Sequence, residues 1–335
     1  MTQLATDVAG IGNAIVDVIA RADEAFLAAH GLAKGTMTLI HGARAEALYA
    51  AMGSAREISG GSAANTLAGV AALGGKGAFI GKVRNDQLGG IFRHDIQALG
   101  VTFDTPPATS GEPTARCLIF VTPDAQRTMN TYLGAAVSLG PEDVGPATVE
   151  GAKVLYLEGY LFDPPAAQAA FVAAARLAHR AGRKVALTLS DPFCVARHKQ
   201  AFRKLVEGHV DLLFANLAEA ESLTDSQGLD DAAAALAGKA EVVVITQSEK
   251  GALVLADGQR HAVAAVPPKQ LVDSTGAGDL FAAGFLVGYT RGKALADCGR
   301  LGALAATECI GHYGARPERD LKALAAERLG PHFLA

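Results

Sequence analysis

The stretch "AKVLYLEGY" (152–160), "PAAQAAFVAAARLAHRAG" (165–182), "KVALTLS" (184–190) decides the fold. An apolar, β-branched run gives way to an alanine-rich run of helical length that stops at a glycine, and a second β-forming run follows. The alternation recurs downstream in "VDLLFAN" (210–216), "LAEAESL" (217–223) and "EVVVITQ" (241–247). Upstream, "VAGIGNAIVDVIA" (8–20) reads as a strand with a glycine interruption, "ANTLAGVAALG" (64–74) as a helix ending at Gly74, and "GAFIGKV" (77–83) as the next strand. Strands alternating with helices predict βαβ units: an α/β fold of three layers, with a mostly parallel central sheet covered on both faces.

Two stretches break this rhythm. Residues 14–41 end in "GTMTLI", and residues 109–133 alternate β-formers with turn residues. Either these segments pair as a small antiparallel sheet, a lid over the main body, or they are edge strands of the main sheet. Long non-helical insertions in such folds usually serve the site, which favours the lid. No Pro/Ser-rich linker or internal repeat divides the chain, so one domain is expected over 1–335.

Composition narrows the function. The net charge of −4, with no block of Lys and Arg, argues against nucleic acid as a partner. The four cysteines form no CxxC pair, which speaks against zinc or a disulfide framework and fits a reducing cytoplasm. "MTQLATDVAG" lacks the pattern of a secretory leader, and no apolar run approaches the ~20 residues of a membrane span. "GIGNAI" (10–15) has Ile15 where a dinucleotide fingerprint needs its third glycine, and "GVAALGGKG" (69–77) misplaces the P-loop lysine. The nine histidines make no metal-ligand spacing.

The chemistry-bearing stretch is "DSTGAGDLFAAGF" (273–285). Gly276, Ala277 and Gly278 precede Asp279, and a helical apolar pattern follows. Glycines let successive N–H groups point one way, and with the helix dipole they make an anion site. A carboxylate beside that anion suits phosphoryl transfer: amides stabilise the moving group while Asp279 accepts the proton of the attacking hydroxyl. The bland alternative is an aspartate capping a helix after a glycine turn.

This motif resembles the carboxyl-terminal signature of the ribokinase-like (PfkB) family of carbohydrate and nucleoside kinases, and the resemblance extends over nearly the whole chain. "GNAIVDV" (12–18) is similar to that family's first strand, "SGGSAANT" (59–66) to its Gly-Gly signature, "NLAE" (216–219) to its N-x-x-E motif, and "ITQSEKGALV" (245–254) to the turn on its nucleotide side. The resemblance implies substrate contacts from Asn13, Asp17, Gly60, Gly61, Ser62 and Asn65, and ATP contacts from Asn216, Thr246, Gly251, Thr275 and Arg127. It further implies an indirect hold of Glu219 on Mg2+ and, near Asp273, a monovalent cation such as K+.

Several of these residues also have a plainer reading. Asp17, in the apolar run "AIVDVIA", needs partners, which substrate hydroxyls or water at a strand end would supply. Ser62 and Asn216 suit helix caps, and Arg127 suits an exposed surface as well as a phosphate. Ser248 stands where the family's nucleotide-side turn usually carries glycine.

"LTLSDPFCVARHKQAF", "RTMNTYLGAA" and the serine of "GGSAANT" resemble the adenosine kinase branch, whereas Thr275 is more usual among the sugar kinases. Phe162 and Phe193 are candidate walls for a purine. The expected reaction is γ-phosphoryl transfer from ATP to a hydroxymethyl group, with the 5'-hydroxyl of adenosine favoured over ribose, fructose or 2-keto-3-deoxygluconate. A pyridoxal-type kinase suits the motifs less well, and the alternative of another class is a non-catalytic nucleotide-binding regulator. The expected partners are the two small substrates, and the chain is expected to be a monomer or homodimer.

Overall fold

The computed structural model describes residues 4–124 and 126–334. Met1–Gln3 of the amino-terminal stretch, Ala125 within the 109–133 segment and Ala335 at the end of the expected domain lie outside them.

In chain order the strands are β1 (Thr6–Ile11), β2 (Ile15–Arg21), β3 (Met37–Leu39), β4 (Ala55–Gly60), β5 (Gly77–Ile80), β6 (Thr102–Phe103), β7 (Ala115–Val121), β8 (Arg127–Tyr132), β9 (Ala152–Glu158), β10 (Lys184–Thr188), β11 (Leu212–Asn216), β12 (Val242–Thr246), β13 (Ala252–Ala256) and β14 (Gln259–Val263). Nine of them form the main sheet, in the order β14-β13-β12-β11-β10-β9-β1-β5-β6. From β6 to β12 every neighbour is parallel; β13 and β14 add an antiparallel edge. The middle strands are covered on both sides. Val154, Leu155, Tyr156 and Leu157 are all buried, which is why β9 reads as a continuous apolar run rather than an alternating one.

One helical layer contains Ser62–Ala72, Ala277–Thr290 and Leu295–Cys309, and the other Pro165–Arg180 and Pro192–His209. The last two helices of the first layer pack so closely that a Cβ on Gly284 would lie 2.6 Å from the Leu301 carbonyl oxygen. Among the described residues no helix is long and apolar enough to cross a membrane.

The remaining strands form a second sheet, in the order β3-β8-β7-β2-β4. Three details differ from the expectations above. Residues 8–20 are not one interrupted strand: β1 lies in the main sheet and β2 in the second, and the chain changes sheet at Gly12–Ala14. Gly12 marks the change because a Cβ there would lie 2.2 Å from Glu158 Oε2. The second sheet is mixed rather than antiparallel, since β2–β7 and β3–β8 are parallel. Residues 14–41 also contain a short helix, Glu24–Ala29, capped by the Asp23 side chain.

Candidate active site

The inner face of the second sheet and the carboxyl-terminal ends of the main-sheet strands enclose a cleft of about 690 Å³. Open α/β sheets bind ligands at this end of their strands.

Asp279 stands at the cleft as the third residue of the helix Ala277–Thr290, whose cap is Gly276, in the left-handed region at φ 78°. The capping alternative therefore fails, because the Asp279 carboxylate turns away to other partners. Ser62 Oγ donates to its Oδ1 at 2.6 Å and Asn65 Nδ2 to its Oδ2 at 3.0 Å. Burial pushes its pKa up, against the pull of those two donors and of Arg316. Each oxygen keeps lone-pair capacity for one more donor. The first-turn N–H groups beside it lack intrahelical acceptors, as at every helix start, and a Cβ on Gly278 would meet open space. Main chain and ligand can thus approach closely here.

Asp17, on β2, faces the same cleft, and among the described residues no group donates a hydrogen bond to its carboxylate. Gly60 opposes this strand across β4, and a Cβ there would lie 2.6 Å from the Asp17 carboxyl. Burial raises Asp17 to about 6; Arg127 and Arg316 oppose the rise, and the Asp279 charge adds to it. Gly61, at φ 93°, caps the helix Ser62–Ala72 tight against the Asn13 carbonyl.

Asn13 lines the cleft, but its Nδ2 donates to Glu158 Oε1 at 2.8 Å, and its buried Oδ1 has no partner among the described residues. Glu158, at the end of β9, also accepts from the Asn13 and Ala63 N–H groups at 3.2 and 2.7 Å. Burial raises it to about 7 despite those donors.

On the opposite side, Asn216 and Glu219 form a reciprocal capping box at the start of the helix Leu217–Thr224: the Glu219 N–H donates to Asn216 Oδ1 at 2.9 Å, and the Asn216 N–H to Glu219 Oε2 at 3.0 Å. Both line the cleft with Thr246 and Thr275. Burial raises Glu219 to about 7, with Asp191 adding to the shift. Gly251 is absent from the lining. Its φ of 88° and the Val263 carbonyl, 2.1 Å from any Cβ, make it the pivot of the β12–β13 turn. In the same turn Ser248 holds φ 51°, a left-handed conformation that glycine adopts freely.

Asp273 also lies outside the lining, and its carboxylate is taken up by protein groups. Arg127 ion-pairs with it, Thr275 donates from its N–H and hydroxyl at 3.0 and 2.6 Å, and the Gly314 N–H donates at 3.0 Å. Burial alone would raise Asp273, but these donors and Arg127 hold it below the usual carboxylate range. Both Asp273 oxygens thus meet protein donors, and among the described residues no three acidic, His or Cys groups cluster as metal ligands.

Of the two suggested aromatic walls, Phe162 belongs to the core, its ring 4.3 Å from that of Phe202, while Phe193 stands 74% exposed at the cleft rim. On the second-sheet side the wall is aliphatic, formed by Ile15, Ile119, Met129, Leu133, Met37 and Leu39, while Phe193, Phe214 and Phe281 line the cleft elsewhere. Tyr160, Ser190 and Asp191 also line the cleft, and sequence pattern did not single them out. Ser190, at φ 68°, is a strained residue of the kind that gathers at functional sites.

A family model described as "pfkB family carbohydrate kinase" matches residues 7–321. The crystal structure of an adenosine kinase from Sinorhizobium meliloti is 53% identical, covers 96% of this chain and 99% of its own, and superposes with a TM-score of 0.88. That of a probable sugar kinase from Rhizobium etli is 50% identical over 98% and 99% of the two chains, with a TM-score of 0.89. A cytidine kinase of Thermococcus kodakarensis is 42% identical over 121 residues, 35% of this chain and 43% of that protein.

Proposed function

The chain belongs to the PfkB family of carbohydrate kinases and is a phosphotransferase with an alcohol acceptor; from that premise we propose that its acceptor is a nucleoside, with the 5'-hydroxyl of adenosine the preferred group. The observation that carries this reading is the aliphatic wall beyond Asp17. A free sugar presents hydroxyls on every side and would leave that wall wet, whereas a nucleoside offers a ribose to Asp17 and a flat heterocycle to the wall. The likeness to the Sinorhizobium adenosine kinase supports the same choice. Thr275 favours a second reading, a sugar acceptor, since sugar kinases of this family more often carry Thr there.

In this mechanism Asp17 binds ribose hydroxyls with its unpartnered oxygens. Ser62 and Asn65 hold Asp279 at the point where the acceptor hydroxyl arrives. Asp279 takes the proton as that oxygen bonds to the γ-phosphorus, and the bond from the γ-phosphorus to the β-phosphate oxygen breaks to release ADP. The first-turn amides at Gly276–Asp279 stabilise the charge on the transferring group. ATP would bring Mg2+, whose charge would neutralise the phosphates. Glu219 and Asp191, at the strand ends, are carboxylates of the type that hold such an ion through water. The second sheet serves as a lid that excludes water from the γ-phosphoryl group.

Release of ADP, compared over adenosine, inosine, cytidine, ribose, fructose and 2-keto-3-deoxygluconate, tests the acceptor. The highest kcat/KM is expected with adenosine. A free sugar matching or exceeding it would overturn the nucleoside reading and leave the phosphotransferase in place.

A further inference from the structure

Arg316 is absent from the cleft lining, yet it is tied to both halves of the site. Its Nη1 donates to the Ala64 carbonyl at 2.9 Å; its Nη2 donates to the Ser59 carbonyl at 2.8 Å and to Ser59 Oγ at 3.0 Å. Those residues flank the turn that leaves room for Asp17 at Gly60 and presents Ser62 to Asp279. Ser59 is fixed from its other side, where its N–H and hydroxyl donate to Asp95 Oδ2 at 2.8 and 2.5 Å. The residues just before Arg316 hold the phosphate side: the Gly314 N–H donates to Asp273, and Ala315 lies so close to Gly276 that a Cβ there would stand 2.4 Å from Ala315 Cβ. The loop itself is pinned by Glu308 Oε1, which accepts from the N–H groups of Glu318 and Arg319 at 3.1 and 2.9 Å.

Three consecutive residues, 314 to 316, therefore touch the turn that presents the acceptor and the turn that receives the phosphoryl group. We propose that Arg316 is a positioning residue that sets the spacing between the Ser59–Ala64 turn and the Gly276–Asp279 helix start. The inference rests on the mechanism above but adds a residue outside the cleft lining. Only a planar guanidinium spans the two carbonyls, since an ammonium is a single point donor. The charge has a use as well. Asp95, Asp17 and Asp279 face Arg316, Arg127 is the other cation facing Asp17, and Arg316 helps keep both cleft carboxylates ionised. Among the described residues, Arg316 Nε is buried and meets no acceptor.

The test compares wild type with Arg316→Gln and Arg316→Lys, each first checked for a cooperative thermal transition. In the Gln variant, kcat/KM for the best acceptor should fall on the order of 10²-fold, the effect of a displacement of about 1 Å near the chemistry, while KM for ATP stays near wild type. The Lys variant should recover little of the loss, because charge alone does not span the turn. Amide exchange over residues 59–66 of the free protein should quicken in both variants. Unchanged acceptor kinetics, or full rescue by Lys, would overturn the proposal. If neither variant folds, Ser59→Ala decides: a raised acceptor KM supports the clamp, and an unchanged one overturns it. If wild type releases no acceptor-dependent ADP, the mechanistic reading fails separately. Exchange then decides alone, and residues 59–66 behaving alike in wild type and variant would overturn the clamp.

Discussion

Arg127, on β8 of the second sheet, is ion-paired with Asp273 in the loop before the glycine turn, 146 residues away in sequence. The pair tethers the second sheet to the phosphate side of the site. Arg127→Ala should destabilise the protein by about 3 kcal/mol, the low end for a buried pair because both side chains keep some contact with water. It should also quicken amide exchange across β7 and β8. In wild type, acceptor should slow exchange in residues 14–41 and 109–133 more than ATP alone does. Exchange there that ignores the acceptor would remove the lid from the mechanism, though not the ion pair.

Asp279→Asn keeps an oxygen for Ser62 but removes the proton acceptor. Turnover should fall by about 10²–10⁴-fold, the usual loss for a general base, with ATP binding preserved in an equilibrium titration. A variant with near-wild-type kcat would exclude Asp279 as the base.

Asp17→Ala should lower kcat/KM for the acceptor on the order of 10²–10⁴-fold, as expected for two hydrogen bonds to a charged group, and leave KM for ATP nearly unchanged. An acceptor KM equal to wild type would move Asp17 out of the site.

Acid should affect activity and stability in opposite directions. Asp17 is raised to about 6, Glu158 and Glu219 to about 7, and Asp279 is raised as well. Each binds its proton more tightly folded than unfolded, so their contribution to stability grows as pH falls from about 7 towards 4. His209, lowered by burial, works the other way once the pH drops below its unfolded value. The proposed mechanism, in contrast, requires Asp279 ionised. Between pH 8 and 5.5 the melting temperature should hold or rise while kcat/KM declines. A melting temperature that falls in step with activity would contradict these shifts.

Ser248 pays for a left-handed backbone that glycine takes without strain. Ser248→Gly relieves roughly 1–2 kcal/mol of steric cost and gives back about 0.5–1 kcal/mol of chain entropy. A small rise in melting temperature is expected, with turnover unchanged. A fall would mean that the serine side chain holds the turn.

Local pattern made much of this legible. The βαβ alternation and the Gly276–Asp279 turn are written in adjacent residues. What escaped is long-range. Arg316 meets partners 252 and 257 residues away, and nothing in "GARP" marks it. Sheet membership at Gly12 depends on Glu158 across the fold. Phe162 and Phe193 look alike as aromatics, and only tertiary packing buries one and exposes the other. Glu158 was within reach: a carboxylate closing the apolar run "VLYLE" carries the same signal that singled out Asp17.

The aliphatic wall and Asp17 belong to the second sheet, whereas Asp279 and its partners belong to helices packed on the main sheet. In the proposed mechanism, recognition and reaction thus lie in separate pieces of the fold. A substitution at Ile15, Ile119 or Met129 can change which molecule fits while the base, its donors and the anion turn stay as they are. Under that mechanism, acceptor preference can be altered from the second sheet alone, with the phosphoryl-transfer chemistry left in place.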